Sequence, residues 1–144
     1  MALGIYQGLR RQEVADLMAA DVDLERNELT VRRSKNRQWR VLKLHPALLQ
    51  HLPSPLPANG QPLSLNTKGQ PWTGDALQRS FGRQVKRLGW SDVSFHTLRH
   101  TCASMMAQSG QHTLYEIGKF LGHQTVQTTV RYAHLLPNQV QPRW

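Results

Sequence analysis

The sequence contains one cysteine, Cys102, and no uncharged stretch that is long and apolar enough to cross a bilayer. A single thiol excludes an internal disulfide framework and a multi-thiolate zinc site, so a reducing cytoplasm is the predicted environment. The longest uncharged run, residues 44–67, is broken by several prolines, and no basic segment followed by an apolar stretch opens the chain. We therefore expect neither a membrane span nor an export signal.

Acidic residues are also scarce. The chain of 144 residues, the size of one domain, carries 9 Asp and Glu against 18 Lys and Arg, for a formal net charge of +9. This excess favours a polyanionic partner, because basic side chains neutralise phosphates and release condensed counterions. Six of the acids lie between Glu13 and Glu28, whereas the segment that follows is basic. Its predicted DNA-contacting residues are Arg32, Arg33, Arg37, Arg40 and Lys43.

A second basic cluster recurs at helical spacing later in the chain. It consists of Arg79, Arg83, Lys86 and Arg87, and it lies opposite an apolar stripe of Leu77, Phe81, Val85 and Leu88. The spacing predicts an amphipathic helix. A solvated helix face explains the cluster as well as DNA contact does.

The periodicity predicts a mainly helical domain with a small sheet. A short helix is expected from Arg11 to about Ala20, and residues 28–33 and 39–44 alternate as the two strands of a hairpin with Lys35 at or beside its turn. A helical turn is expected at 46–52, and a loop with one short strand at 62–65 follows. The later helices are expected to start at the caps Thr73 or Asp75, Ser94, Thr113 and Thr125, and the last of them carries Tyr132.

Several residues suit the cutting and rejoining of a phosphodiester without a metal. Arg10 and Arg99 are candidate clamps, because a guanidinium grips two phosphate oxygens at once. Tyr132 is a candidate nucleophile, since a phosphotyrosyl ester conserves the bond energy for reverse attack by a DNA hydroxyl. Its ordinary pKa of about 10 means that cations or a base must activate the phenol, and His96 or His123 could help.

Each of these residues also has a simpler interpretation. Tyr132 fits an amphipathic core position, Lys35 fits an exposed lysine, and His123 fits a helix C-terminal histidine favoured by the macrodipole. His96 and His100, at i and i+4, could hold a metal, but no acidic third ligand is near in sequence, so no metal is predicted. The residues alone therefore predict a basic DNA-binding domain that could carry phosphoryl chemistry.

Five segments, in order, resemble the motifs of the tyrosine recombinase family, which includes the phage integrases. They are Gly8-Leu9-Arg10-Arg11-Gln12-Glu13-Val14, the hairpin Ser34-Lys35-Asn36 to Arg40-Val41-Leu42, His96-Thr97-Leu98-Arg99-His100, Leu121-Gly122-His123 and Thr128-Thr129-Val130-Arg131-Tyr132. Their joint occurrence covers about residues 8–134, nearly the whole chain.

The resemblance implies a role for each motif residue. By similarity, Arg10 and Arg99 clamp the scissile phosphate, and Tyr132 attacks it to form a 3′-phosphotyrosyl link. Lys35 protonates the departing 5′ oxygen, His96 transfers a proton, and His123 donates to the phosphate. Glu13 supports the active site. The resemblance implies no cofactor and no metal.

The resemblance also implies fold, partners and location. It predicts an α+β catalytic domain over residues 1–144, mainly helical with about three antiparallel strands, lacking the N-terminal core-binding domain and ending in a tail at 135–144. The predicted function is site-specific recombination of double-stranded DNA by several protomers, a tetramer in the synaptic complex, with DNA-bending accessory proteins. The predicted location is the bacterial cytoplasm, at the nucleoid, for a protein of bacterial or phage origin. Two alternatives stay open: an inactive DNA-binding remnant and a type IB topoisomerase-like activity.

Overall fold

The computed structural model describes residues 1–33 and 38–137. Its α-helices, in chain order, are α1 (Ala2–Gln7), α2 (Arg11–Ala15), α3 (Pro46–Leu49), α4 (Gly74–Arg87), α5 (Phe95–Gln108), α6 (Leu114–Leu121) and α7 (Gln127–Val130). Its strands are β1 (Val22–Asp23), β2 (Glu28–Arg33) and β3 (Gln38–Lys43). Short 3-10 turns cover Ala19–Asp21 and Ala133–Leu135. Lys35, Arg37 and the side chain of Arg33 lie outside the described residues.

The three strands form one antiparallel sheet in the order β1-β2-β3. The β2–β3 register pairs Glu28 with Lys43 and Arg33 with Gln38, which confirms the predicted hairpin. Leu29, Val31 and Leu42 are buried on one face of the sheet, whereas Trp39 and Val41 are exposed. This alternation follows from the two-residue period of a strand with one solvated face. The predicted class, mainly helical with a small antiparallel sheet, is confirmed.

Among the residues that the structure describes, buried side chains gather in three clusters. The first packs the inner face of the sheet on α1, α2 and α3. The second joins α5 to α6 and includes the ring of Tyr132. The third holds Phe81 and Val85 of α4 against Phe95, which opens α5. Helix α5 therefore contributes to two clusters. Packing on both holds the helix, and the motif residues that it carries, in a fixed position.

Three of the four predicted helix starts are correct, whereas Thr125 does not cap α7, whose N-cap residue is Val126 with no side-chain cap bond. The hydroxyls of Thr73, Ser94 and Thr113 accept hydrogen bonds from backbone N–H groups in the first turns of α4, α5 and α6, and Thr113 forms a reciprocal capping box with Glu116. Leu88 was wrongly assigned to the apolar stripe of α4. It follows the last helical residue, where Gly89 at φ 69° redirects the chain, and it is 57% exposed.

Helices α2 and α7 end earlier than predicted, and the helical turn predicted at 46–52 is reduced to α3 (Pro46–Leu49). Helix α2 ends at Ala15 because the chain then bonds to a distant loop: Leu63 N–H donates to Leu17 O at 2.9 Å, and Ala19 N–H donates to Gln61 O at 2.9 Å. The strand predicted at 62–65 is correspondingly reduced to isolated bridges. Helix α7 ends at Val130, so Tyr132 lies beyond it, at the start of the following 3-10 turn. Within the described ranges, no helix meets the length and apolarity that a membrane crossing needs.

Gly8 ends α1 in the left-handed conformation, with φ 59°. A Cβ at this position would lie 2.5 Å from Leu121 Cδ2 and 3.3 Å from Cys102 Sγ. We expect Gly8→Ala to lower the free energy of unfolding by about 2 kcal/mol or more, because backbone strain and overpacking add. Urea unfolding would measure the loss.

Gly82→Ala is the matched control. Gly82 lies inside α4, and a Cβ there would meet nothing within 4 Å. Alanine should stabilise this helix by up to about 1 kcal/mol. Equal stability of the two variants would contradict the close approach of α1, α5 and α6 at Gly8.

Candidate active site

Arg99 is a buried cation at the centre of the site. It extends from α5, is 2% exposed, and donates hydrogen bonds to the backbone carbonyls of Gly8 and Leu121. Burial, followed by the positive charge of Arg10, lowers the pKa of Arg99 to about 10, so the side chain stays charged at neutral pH. Within the described part of the chain, no carboxylate lies at ion-pair distance from Arg99. The positive charge of Arg99 is therefore stabilised by the dipoles of backbone carbonyls.

Arg10 lies beside Arg99 at the same end of α6. It is the N-cap residue of α2, and its Nη2 donates to Gly122 O at 3.2 Å, one residue beyond the carbonyl that Arg99 contacts. The left-handed turn at Gly122, with φ 69°, presents these neighbouring carbonyls to both arginines. Two guanidinium groups that are distant in sequence therefore share one pocket.

Glu13 is the acid that anchors this pocket. One carboxylate oxygen accepts the Arg10 backbone N–H at 2.8 Å, and the other lies 3.3 Å from Arg10 Nη1. Arg40 approaches the same carboxylate with both terminal nitrogens, at 2.8 and 3.1 Å. Burial raises the pKa of Glu13, but the hydrogen bonds and charges of Arg40 and Arg10 outweigh it, so the pKa lies below its ordinary value. Glu13 is thus an anion in the folded protein.

Arg40 was predicted from charge alone to contact DNA, and that contact stays a prediction. In the structure its Nε donates to Phe120 O at 2.9 Å while both terminal nitrogens bind Glu13. Its side chain is only 16% exposed. A buried carboxylate needs a counter-ion, and this need turns Arg40 inward. Arg40 thereby ties β3 to α2 and to the end of α6.

His123 follows Gly122 directly. Its Nδ1 lies 2.8 Å from Thr129 Oγ1. Burial, followed by the charges of Arg99 and Arg10, lowers the pKa of His123 to about 4, so the ring is neutral near pH 7. If the Thr129 hydroxyl donates to Nδ1, the ring proton resides on Nε2 and is available to donate.

Tyr132 lies against α5 rather than in solvent. Its ring is 5% exposed and packs with Ala103, Ile117 and Leu121, while its hydroxyl forms a hydrogen bond with His100 Nδ1. Burial raises the pKa of Tyr132, and the charges of Arg131 and Arg99 act in the opposite direction. The hydroxyl thus faces a histidine and lies within the field of nearby arginines.

His96 and His100 occupy successive turns of α5. Their ring centroids are 4.5 Å apart at an interplanar angle of 87°. His96 is exposed, whereas His100 is half-buried between His96 and Tyr132. Among residues 1–33 and 38–137, no group of three His, Cys, Asp or Glu side chains is placed to hold a metal ion.

The other predicted basic residues lie on the surface. Arg79, Arg83, Lys86 and Arg87 are all exposed on α4, which begins next to α2, where Arg11 lies 3.7 Å from Asp75. On the sheet, Arg32 Nε lies 2.8 Å from Asp21 and Lys43 Nζ lies 2.9 Å from Glu28, although both basic side chains remain largely exposed. DNA contact by these residues stays a prediction.

Sequence reasoning missed three residues of the site. His100 was considered only as a metal ligand paired with His96, Thr129 was given no role, and Arg40 was assigned to DNA. The i, i+4 spacing of His96 and His100 does indicate one face of α5. The partners of Thr129 and Arg40 come from segments distant in sequence, and no local pattern reveals them.

The sequence and the fold match proteins of one family. The sequence model of the Phage integrase family matches residues 1–139. Tyrosine recombinase XerA of Saccharolobus solfataricus is 32% identical over 135 residues, which is 90% of this chain and 42% of that protein. Tyrosine recombinase XerC of Roseiflexus castenholzii is 31% identical over 139 residues, which is 89% of this chain and 44% of that protein.

Solved structures agree with the sequence matches. A crystal structure of XerA recombinase gives a TM-score of 0.82 at 25% identity, covering 99% of this chain and 57% of that one. The catalytic domain of bacteriophage HP1 integrase gives a TM-score of 0.72 at 25% identity, covering 95% and 73%. The fold is therefore that of a tyrosine recombinase catalytic domain. The chain belongs to the phage integrase family, and it spans less than half the length of the XerA and XerC relatives.

The Glu13 ion pairs predict a pH-dependent contribution to stability. Glu13→Gln should lower the free energy of unfolding at pH 7 by about 3 kcal/mol, because Arg40 would keep a buried charge without its carboxylate. The folded pKa of Glu13 is depressed, so this contribution is complete above the unfolded carboxyl pKa of about 4.3 and disappears as the pH falls through the folded value. Urea unfolding from pH 7 to pH 3 would measure it.

Glu25→Gln is the control for this prediction, because Glu25 is exposed in the turn between β1 and β2. Its substitution should change stability by less than about 0.5 kcal/mol at every pH. A Glu13→Gln deficit that stays constant down to pH 3 would show that the carboxylate charge is not what stabilises the pocket.

Proposed function

We propose that this chain is the catalytic domain of a site-specific DNA recombinase that cuts and rejoins strands through a phosphotyrosyl intermediate. One observation carries the proposal: Arg10 and Arg99 converge on the C-terminal end of α6, where His123 also lies, and the Arg99 charge acts on Tyr132. A pocket with two guanidinium groups, one of them buried without a carboxylate partner, suits a phosphodiester anion.

The proposed reaction needs only side chains of the protein. The Tyr132 oxygen attacks phosphorus, the bond to the 5′ oxygen breaks, and a 3′-phosphotyrosyl ester forms. Arg10 and Arg99 bind the non-bridging oxygens, and neutral His123 donates a hydrogen bond to the same phosphate. A 5′ hydroxyl from a partner strand reverses the step, because the ester conserves the energy of the broken bond.

The leaving 5′ oxygen needs a proton. By the family resemblance, Lys35 supplies it, and His96 takes part in proton transfer. Lys35 falls between the ends of β2 and β3, outside the described residues. The Arg40–Glu13 pair supports this assignment, because it fixes β3 to the segment that carries Arg10. Glu13 is proposed to act by holding Arg10 and Arg40 in place.

The proposed substrate is double-stranded DNA in the cytoplasm, bound by several protomers, with DNA-bending proteins as accessory partners. Two facts support the assignment of DNA as the substrate: the net charge of +9 and the exposed basic face of α4. One relative by structure, XerH site-specific recombinase, has been solved bound to a palindromic difH substrate in a post-cleavage complex, with a TM-score of 0.74 at 25% identity over 92% of this chain and 40% of that one.

A covalent-capture experiment tests the reaction. A pool of duplexes, nicked so that cleavage releases a short fragment, is randomised around the nick and incubated with the protein. Strands that stay bound after denaturation are then sequenced. We expect wild type to capture strands through a 3′ phosphate, and Tyr132→Phe, which keeps the ring but lacks the nucleophile, to capture none.

The same experiment separates the alternatives. DNA binding without any adduct would support the inactive remnant and contradict the proposal. An adduct accompanied by relaxation of supercoiled plasmid, with no exchange between two captured sites, would support the topoisomerase-like activity. Tyr6→Phe is the control, since Tyr6 stacks on His45 and His51 away from the pocket, and it should capture DNA as wild type does.

The basic face of α4 predicts how DNA affinity depends on salt. Replacing Arg83 and Lys86 together by alanine should reduce the slope of log affinity against log salt by about 2, one for each phosphate that the protein no longer neutralises. Fluorescence anisotropy with a labelled duplex would measure it. Arg26→Ala with Lys68→Ala removes the same charge from two exposed loops and should leave the slope nearly unchanged. Equal slopes for the two double variants would exclude α4 as a DNA contact.

A further inference from the structure

We propose that His100 holds the phenolic hydroxyl of Tyr132 and takes its proton when the phenol attacks phosphorus. This inference rests on the proposed function and deepens it, because it names the base for the nucleophile. Arg10, Arg99, His123 and Lys35 all serve the phosphate or the leaving oxygen in that function. None of them removes the proton from the attacking phenol.

Contact with the hydroxyl is the first argument. Among the described residues, His100 Nδ1 is the side-chain atom that forms a hydrogen bond with Tyr132 Oη. His96, the histidine of the same box with the expected proton-transfer role, lies one helical turn away and contacts His100 ring to ring. His123 is engaged with Thr129. The geometry therefore favours His100 over both other histidines.

The protonation state is the second argument. Burial, followed by the charges of Arg131 and Arg99, lowers the pKa of His100 below its ordinary value, so the ring is neutral near pH 7. Burial also lowers the pKa of His96. A neutral His100 that accepts the phenol hydrogen bond at Nδ1 carries its own proton on Nε2. It is then able to accept a second proton.

The proton balance closes in both directions. In cleavage, the bond from Tyr132 Oη to phosphorus forms, the bond from phosphorus to the 5′ oxygen breaks, and the phenol proton moves to His100 Nδ1. The leaving oxygen receives its proton from the general acid of the proposed function. In rejoining, the incoming 5′ hydroxyl loses its proton to that acid's conjugate base, and protonated His100 returns a proton to the departing phenolate.

The charges around His100 suit a transient proton. His96 and Arg99 lie on its own helix, and Arg131 and Tyr132 approach from the segment after α7. The charges of the two arginines disfavour a protonated His100 ring, so the ring stays neutral and can accept a proton. When the phenolate forms, their charges stabilise it, since both arginines act to lower the pKa of Tyr132. The same environment therefore prepares both the base and the nucleophile.

Substitution of His100 by asparagine separates proton transfer from positioning. The Oδ1 of the new amide side chain would reach about where Nδ1 lies and would accept the phenol hydrogen bond, but it cannot take the proton. Single-turnover cleavage would be measured with a suicide duplex obtained by covalent capture. We expect His100→Asn to melt like wild type and to cleave about 100-fold more slowly or worse, the size of a general-base contribution. His51→Asn, on an exposed histidine beyond α3, should cleave normally.

The pH profile provides a readout that a structural role would not change. Wild-type cleavage should fall as the pH drops through the pKa of His100, because the base becomes protonated. Cleavage by His100→Asn should instead keep rising with pH toward the phenol pKa, since only hydroxide then removes the proton. Added imidazole should partly restore His100→Ala. Unchanged pH profiles in His100→Asn and no rescue of His100→Ala would overturn the proposal.

A modified substrate identifies the step. A 5′-bridging phosphorothiolate provides a leaving group that needs no acid, so it should restore cleavage by Lys35→Ala but not by His100→Asn. Restoration of His100→Asn by this substrate would place His100 on the leaving group and overturn the inference, while the proposed function would stand. Absence of any adduct with wild-type protein would overturn the proposed function itself, and the inference with it.

Discussion

The buried guanidinium of Arg99 is the constraint on which the rest of the site depends. Taking a charge out of water is costly unless fixed dipoles or counter-charges replace the lost hydration. Arg99 obtains these dipoles from the carbonyls of Gly8 and Leu121, which belong to segments at opposite ends of the chain. The turn after α1, helix α5 and the end of α6 must therefore meet at one point. The pocket forms where these three segments converge. It leaves the positive charge of Arg99 without a carboxylate partner among the described residues, so that a phosphate could neutralise it.

A second layer of polar contacts fixes the neighbours of Arg99. Glu13 binds Arg10 and Arg40 at once, and Arg40 adds a bond to Phe120 O, so the hairpin is fastened to the same end of α6. Substitution of one partner leaves another charge unsatisfied, so these contacts act as a unit. In the proposed reaction, rigid placement of the arginines would stabilise the transition state, because preorganised donors need no rearrangement when charge develops.

The part of the site that holds the proposed nucleophile, Tyr132, is built differently. Tyr132 sits in the apolar cluster between α5 and α6, and its hydroxyl forms a hydrogen bond with a histidine. Burial alone makes the phenol harder to ionise, whereas the arginine charges and a neutral base at the oxygen make the proton easier to move. In the proposed reaction, a tyrosine held in this way would attack only when phosphate, arginines and base come together, which would limit cleavage at random DNA sites.

The sequence by itself determined three of the helix caps, the hairpin, the small sheet and the identity of most candidate site residues. These features follow from local chemistry: a threonine hydroxyl caps the turn beside it, alternation sets a strand, and motif residues keep their order along the chain. Only the tertiary structure decided that Arg40 turns inward to Glu13, that α2 ends at Ala15, and that His100 meets Tyr132. Each of these features depends on a partner from a distant segment. Leaving a buried polar group unpaired costs free energy, and this cost overrides the local conformational preference. Which groups are buried is set by the whole fold.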